Sequence, residues 1–199
     1  MKKLMIGFML LNTAVMSIAQ ENDPYVWLEE VESPKALAFA EEQSTKTLNV
    51  LMANPQYQKI YDNILKVVNS KDRIIYPNLN GAFMYNFWQD EKNPRGIWRR
   101  CTKESYEAKS PAWETLLDLD VLSEKDGIKW VYKGASGLYP KYDRFLLRLS
   151  RGGGDAVVIK EFDVNTKTFI EGGFQLAEAK GSAGYLDVNN VIVSSDFGP

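Results

Sequence analysis

Apolar residues recur along this chain with two different periods, and the change falls near residue 71. Tyr57, Ile60, Tyr61, Ile64, Leu65 and Val68 stand at i, i+3, i+4, i+7, i+8 and i+11, the spacing of one helical face. With the start signal Asn54-Pro55 they predict a helix over 55–69. Upstream, Ser33-Pro34 places an N-cap hydroxyl before a proline at the first helical position. Leu37, Ala40, Leu48 and Leu51 then mark a weaker stripe, and a helix over 33–52 is predicted. Helices joined by so few residues should form an antiparallel or sharply angled pair.

Beyond residue 71 short apolar and aromatic runs alternate with turns rich in Gly, Asn, Asp and Pro. Strands are predicted at 81–88, 96–102, 113–118, 129–134, 144–150, 156–162, 168–174, 185–186 and 191–194. No stretch in this region has the length or period of a helix. The pattern is an antiparallel β-meander, in about two successive sheets, and not a βαβ alternation. The fold class is therefore α+β by content: an N-terminal helix pair, then the first two blades of a β-propeller. Closed propellers use at least about four blades, and two alone leave a sheet face uncovered and edges unpaired. The expectation is an incomplete propeller over 71–199, the start of a longer protein, with an N-terminal arm and helix pair over 20–70.

The first 19 residues read as an export signal. Lys2 and Lys3 form a positive start, residues 4–15 are mostly apolar, and Ser17-Ile18-Ala19 sets small residues at a cleavage site. The apolar run is short for a membrane span. It ends without a cysteine, which excludes a bacterial lipoprotein anchor. The mature protein is expected to be exported, periplasmic or secreted, with no membrane attachment after cleavage.

Composition narrows the chemistry. The formal net charge is −2, and no strong field favours nucleic acid. There is no histidine, so a Ser-His-Asp triad or a histidine-containing zinc site cannot be built from these residues. Cys101 is the only cysteine, so no intramolecular disulfide forms. It is expected to be a packed thiol on the inward face with Trp98 and away from Arg100. The strings Gly134-Ala135-Ser136-Gly137 and Gly181-Ser182-Ala183-Gly184 lack the spacing of a nucleophile elbow and read as turns or loops. Gly152-Gly153-Gly154 precedes a strand, so it reads as a hairpin turn rather than a phosphate cradle. Asp118, Asp120 and Asp126-Gly127 miss the register of a calcium loop and read as an acidic turn at a strand end. Arg95, Arg99 and Arg100 beside Trp98 read as a surface ion-pair network, with anion binding as the alternative. No catalytic, cofactor-binding or metal-binding residue is assigned, and no cofactor is expected.

Residues 23–43 (DPYVWLEEVESPKALAFAEEQ), the helix pair, and the segments NSKDRIIYP (69–77), FMYNFWQD (83–90), GIWRRCTKESY (96–106), WETLLDLD (113–120) and SRGGGDAVVIKEFDVNTKTF (150–169) together resemble prolyl oligopeptidase-type serine peptidases. That resemblance implies a seven-bladed propeller followed by an α/β-hydrolase domain that carries the Ser, Asp and His. None of the three maps onto this chain. It further implies that the N-terminal segment docks on the hydrolase domain, with Tyr25, Trp27 and Leu28 as the contact. The expected function is the propeller portion of such an exported peptidase, gating short proline-containing peptides to a catalytic domain absent from this chain, which is expected to be inactive alone. The alternatives are a secreted non-catalytic β-sheet binding module and a truncated gene product without activity of its own.

Overall fold

The computed structural model describes residues 23–70 and 72–195, so the proposed signal over 1–19 lies outside the described residues. The chain divides into two compact units, Met1–Ile64 and Leu65–Pro199.

In the first unit a 3₁₀ turn, Val26–Glu29, leads into α1 (Pro34–Met52). The Ser33 hydroxyl accepts the Ala36 N–H at 3.2 Å and Pro34 opens the helix, as the capping signal predicts. The arm folds back through its aromatics. Trp27 lies edge-on to Phe39 at 5.4 Å, and the Lys35 ammonium sits 4.2 Å over the same indole. Trp27 and Leu28 are half-buried, while Tyr25 is 56% exposed. The second helix, α2 (Tyr57–Val68), starts two residues later than Pro55, because Asn54 and Pro55 belong to a turn in which the Asn54 carboxamide accepts the Gln56 N–H. Its apolar stripe, Ile60, Ile64, Leu65 and Val68, is exposed.

The second unit carries eleven strands, and every pairing among them is antiparallel. The first sheet runs β1 (Asn78–Asn80), β2 (Phe83–Trp88), β3 (Ile97–Thr102) and β4 (Glu114–Asp118), in spatial order β1-β2-β3-β4. The second runs β5 (Trp130–Gly137), β6 (Arg144–Arg151) and β7 (Val157–Asp163), with β8 (Thr168–Phe169) and β9 (Gln175–Ala179) both on β7. A separate hairpin, β10 (Ser182–Tyr185) and β11 (Val191–Ser194), follows.

Four expectations change. The predicted strand over 168–174 is strand only at 168–169, because Gly172 takes φ +68° and turns the chain after β8, and β9 at 175–179 lies beyond the predicted segment. The last two predicted segments form their own sheet instead of completing the second. β1 has the sequence Asn-Leu-Asn and is too short and polar to show a period. Two helices also interrupt the meander, α3 (Lys103–Glu107) and α4 (Leu119–Asp126). They are too short for periodicity and are set by their ends. The Thr102 hydroxyl caps α3. Asp118 caps α4 by accepting the Asp120 and Val121 N–H groups, and Gly127 closes it at φ +65°.

The core lies between the first two sheets. Trp98 of β3, 2% exposed, stacks on Tyr85 at 5.5 Å and meets Phe145 and Phe162 edge-on at 5.1 and 5.8 Å. Leu116, Leu147 and Val164 complete that cluster. A second cluster joins Leu119 of α4 to Trp130, Leu149 and Val158. Leu146, Val157 and Ile159 seat Ala183, Tyr185 and Val191 of the last hairpin. The Trp98 cluster sets the expected effect of truncation. Trp98→Ala should cost about 3–5 kcal/mol of unfolding free energy. Ile192→Ala, at an exposed position, should stay within about 0.5 kcal/mol. Urea midpoints of the two variants against the parent chain check this.

Candidate functional site

β1 and β5 each begin a sheet and each has a strand neighbour on one side only. Between these two edges opens a cleft of about 520 Å³. Asn78, Leu79 and Asn80 supply one rim and Gly134 and Ala135 the other; Phe87, Trp98 and Tyr132 form the floor, and Arg148 reaches in from β6. The bulge in β5 makes this arrangement. The register with β6 slips between Tyr132 and Gly134, so Lys133 is the extra residue. Tyr132 therefore turns toward the first sheet and stacks on Phe87 at 4.6 Å, while Gly134 falls opposite Arg148. Gly134 has φ +124°, and a Cβ there would stand 2.5 Å from Nη2 of Arg148. The positive φ favours glycine there, and a Cβ would displace the end of the Arg148 side chain. Arg148 donates from Nη1 to the Ser136 hydroxyl at 3.2 Å. Burial pushes the Tyr132 phenol up, and the charge of Arg148 opposes that shift.

The sequence reading missed this cleft. Its signal was Gly134 inside the run WVYKGASG, since an isolated glycine in a strand marks a bulge or a close approach.

The arginine cluster separates into three roles. In the β2–β3 register Phe87 opposes Trp98, Tyr85 opposes Arg100, Asn86 opposes Arg99 and Met84 opposes Cys101. Cross-strand partners share a face. Cys101 thus lies with Arg99 and opposite Trp98, contrary to the expected shared face. Both faces of β3 are covered, so the thiol is buried all the same, and burial raises its pKa against the pull of Arg99. Arg99, 8% exposed, makes no ion pair among the described residues. Its guanidinium lies over Trp88 and Trp113 at 4.5 and 4.4 Å and donates through Nε to the Asn86 carboxamide oxygen Oδ1. Arg73 adds a second cation over Trp88 at 4.3 Å. Burial pulls the Arg99 pKa down to about 10, which leaves it charged at neutral pH. Arg100 does form the expected ion pair, Nε to Glu114 Oε2 at 2.8 Å, and Glu114 Oε1 meets Lys167 at 2.9 Å. That carboxylate ties the first sheet to the loop after β7. The main-chain N–H of Arg95 bonds the Asp120 carboxylate.

The serine strings are strand, not turn: Ser136 lies in β5 and Ser182 and Gly184 in β10. Two of their glycines serve close approaches, since a Cβ at Gly137 would stand 2.6 Å from Tyr142 and one at Gly181 2.6 Å from the Ser194 carbonyl. Gly152 and Gly153 make the β6–β7 hairpin at φ +63° and +93°, as expected. Asp118 and Asp120 are engaged as above and Asp126 accepts the Trp130 indole N–H at 2.8 Å. The acidic segment is therefore a capped helix, not a strand-end turn.

Successive antiparallel sheets packed face to face, each starting from an edge strand at a common cleft, define part of a β-propeller. The chain matches the family described as "Prolyl oligopeptidase, N-terminal beta-propeller domain" over residues 12–187, and it belongs to that family. It is 37% identical over 179 residues to an uncharacterized peptidase of Sinorhizobium fredii, covering 89% of this chain and 25% of that protein. It is 33% identical over 183 residues to an uncharacterized peptidase of Rickettsia prowazekii, covering 88% and 25%. Among solved structures, a post-proline cleaving enzyme from Rickettsia typhi superposes with a TM-score of 0.79 at 33% identity, over 86% of this chain and 26% of that one. A prolyl endopeptidase structure superposes at 0.64 with 17% identity, over 81% and 22%, a likeness of fold alone. The chain spans about a quarter of the length of the curated relatives it matches.

The Glu114 bridge has a pH signature. Lys167 first, and then Arg100, hold its pKa below the ordinary glutamate value. A carboxyl depressed in the folded state binds fewer protons there than in the unfolded chain, so it stabilises the fold at higher pH. Glu114→Gln should therefore lower the stability of the chain at pH 7. The difference from the parent should shrink as pH falls below the ordinary glutamate range and through the lowered titration. Urea midpoints of the pair between pH 7 and pH 3 measure it, and a gap independent of pH would remove the assignment.

Proposed function

We propose that this chain is the propeller portion of an exported prolyl oligopeptidase-like serine peptidase. In this reading it admits short proline-containing peptides to a catalytic α/β-hydrolase domain that lies outside these residues. The observation that carries the proposal is the cleft between the edges of β1 and β5, which in a propeller faces the central channel. Family membership supports a peptidase, and the post-proline cleaving relative supports the substrate class. The absence of histidine from these 199 residues supports a general base supplied from outside them. The signal-like pattern of the sequence over 1–19 supports export.

The same reading assigns the arm a role. Tyr25, Trp27 and Leu28 dock on the hydrolase domain, and the exposed stripe of α2 offers more apolar surface for it. Burying such side chains gains roughly 1.5–3 kcal/mol each.

Two experiments test this. A fluorophosphonate serine probe should leave the 199-residue chain unlabelled and label one serine of a protein translated from the reading frame extended beyond Pro199. That longer protein should cleave a chromogenic post-proline peptide. Stoichiometric labelling of the chain itself, or an extended protein that neither labels nor cleaves, would overturn the proposal. For the arm, Trp27→Ala should cost the chain less than about 1.5 kcal/mol, the edge-on contact with Phe39. In the longer protein it should cost about 3 kcal/mol or more. Equal losses in both would end the docking assignment.

A further inference from the structure

Arg148 is a half-buried cation with a prepared seat and no counter-charge. Among the described residues no carboxylate lies within ion-pairing distance of it, although seven other pairs form around the molecule. Arg144, two pleat repeats away on the same face of β6, does have one, in Glu161 at 3.7 Å. The seat is specific. Gly134 gives up a side chain and adopts φ +124° where the guanidinium passes, and the Ser136 hydroxyl holds Nη1. One bonded nitrogen leaves the rest of the fork for a planar, bidentate acceptor. A lysine would not need that clearance, since its charge is compact.

The surroundings say what carries the acceptor. Asn78 and Asn80 bring carboxamides to the opposite rim, and Phe87, Trp98 and Tyr132 provide an aromatic floor. Both rims are edge strands, which offer main-chain donors and acceptors to an extended chain. An inorganic anion would use the arginine and leave the floor and the edges idle. An extended peptide uses all three.

We propose that this cleft binds a peptide by its carboxylate, with the Arg148 guanidinium as the anchor, Ser136 and Gly134 as its positioning residues, and the β1 and β5 edges aligning the backbone. The inference rests on the reading that peptides enter the propeller, and it adds the end by which they are held. An acidic side chain presents the same group as a free C-terminus, so the shared chemistry is the carboxylate.

The test titrates the isotope-labelled chain with three probes and follows the amide signals of residues 132–136 and the Trp98 indole. The probes are acetyl-Ala-Pro-Ala-Ala with a free C-terminus, its C-terminal amide, and the amide with Asp as its last residue. The free acid should bind about tenfold more tightly than the plain amide, the worth of a charge-assisted pair. Binding of the Asp amide like the free acid would extend the site to acidic side chains; binding like the plain amide would restrict it to C-termini. Arg148→Gln should erase the preference for acid over amide. Ser136→Ala, which leaves the charge and the glycine in place, should weaken acid binding alone. Circular dichroism of both variants separates these results from misfolding. Equal binding of acid and amide, or a preference that survives Arg148→Gln, overturns the carboxylate anchor and leaves the cleft as a peptide site. If no probe shifts the 132–136 signals, both the anchor and the peptide reading of the cleft fail.

Discussion

Everything in the sheet region depends on one indole. Trp98 sits in the middle of β3 and touches aromatic rings from both sheets, Tyr85 on one side and Phe145 and Phe162 on the other. Two twisted sheets stacked face to face meet closely only near their centres, and a large flat side chain fills that space best. Once Trp98 points into the interface, strand alternation dictates the rest of β3. Arg100 follows it onto the same face near the rim, where Glu114 can meet it, and Arg99 must take the opposite face. There it meets Trp88 and Trp113, whose rings cover a charge that no carboxylate among the described residues reaches within ion-pairing distance. A buried guanidinium without a close counter-ion is costly. Two indole faces, the Asn86 carboxamide oxygen and the more distant charge of Asp90 offset part of that cost, while burial still lowers the Arg99 pKa.

The bulges are the second constraint. In β4 the register with β3 shifts after Trp98, so Leu116 is the extra residue and is buried in the Trp98 cluster. In β5 the shift falls at Lys133 and turns Tyr132 onto Phe87. The β4 bulge therefore adds an apolar side chain to the interface between the sheets, the β5 bulge leaves its extra residue Lys133 exposed, and each reverses the alternation beyond it. In β5 the reversal also brings Gly134 opposite Arg148. Core packing and the geometry of the cleft are thus consequences of one inserted residue.

The sequence carried the architecture where side-chain periods are long. The Ser33-Pro34 start, the face of α2, and the strands containing FMYNFW, RFLLRLS and VVIKEF were all legible, because each has enough residues to show its period. The misses share one cause. β1, β9, α3 and α4 are held by tertiary contacts or caps, so no periodicity announces them. The face of Cys101 was misjudged because β3 is covered on both sides, and a pattern of Trp, Arg, Arg, Cys has no polar face to count from. The cleft was invisible for a further reason. Its parts come from β1, β2, β3, β5 and β6, and only the fold brings Asn78 and Arg148 to one opening.

The distribution of burial separates what stabilises this chain from what it can present. Strands β6 and β7 are almost wholly buried, with Phe145, Leu147, Leu149, Ile159 and Phe162 at or near zero exposure. Stability must concentrate there, because apolar area removed from water is the dominant favourable term. The β1 and β5 edges border that core but keep their outer sides without a strand neighbour. A rigid centre with adjacent unpaired edges can accept an extended ligand without repacking, since the residues that would have to move are not those that hold the sheets together. An edge that offers hydrogen bonds to any extended chain is also a hazard. The polar sequence of β1 and the glycine-rich end of β5 fit that risk. They keep the apolar area at the rim low, so binding there depends on a specific charge rather than on general stickiness. The lone arginine in the cleft is then the element that converts a nonspecific edge into a selective one.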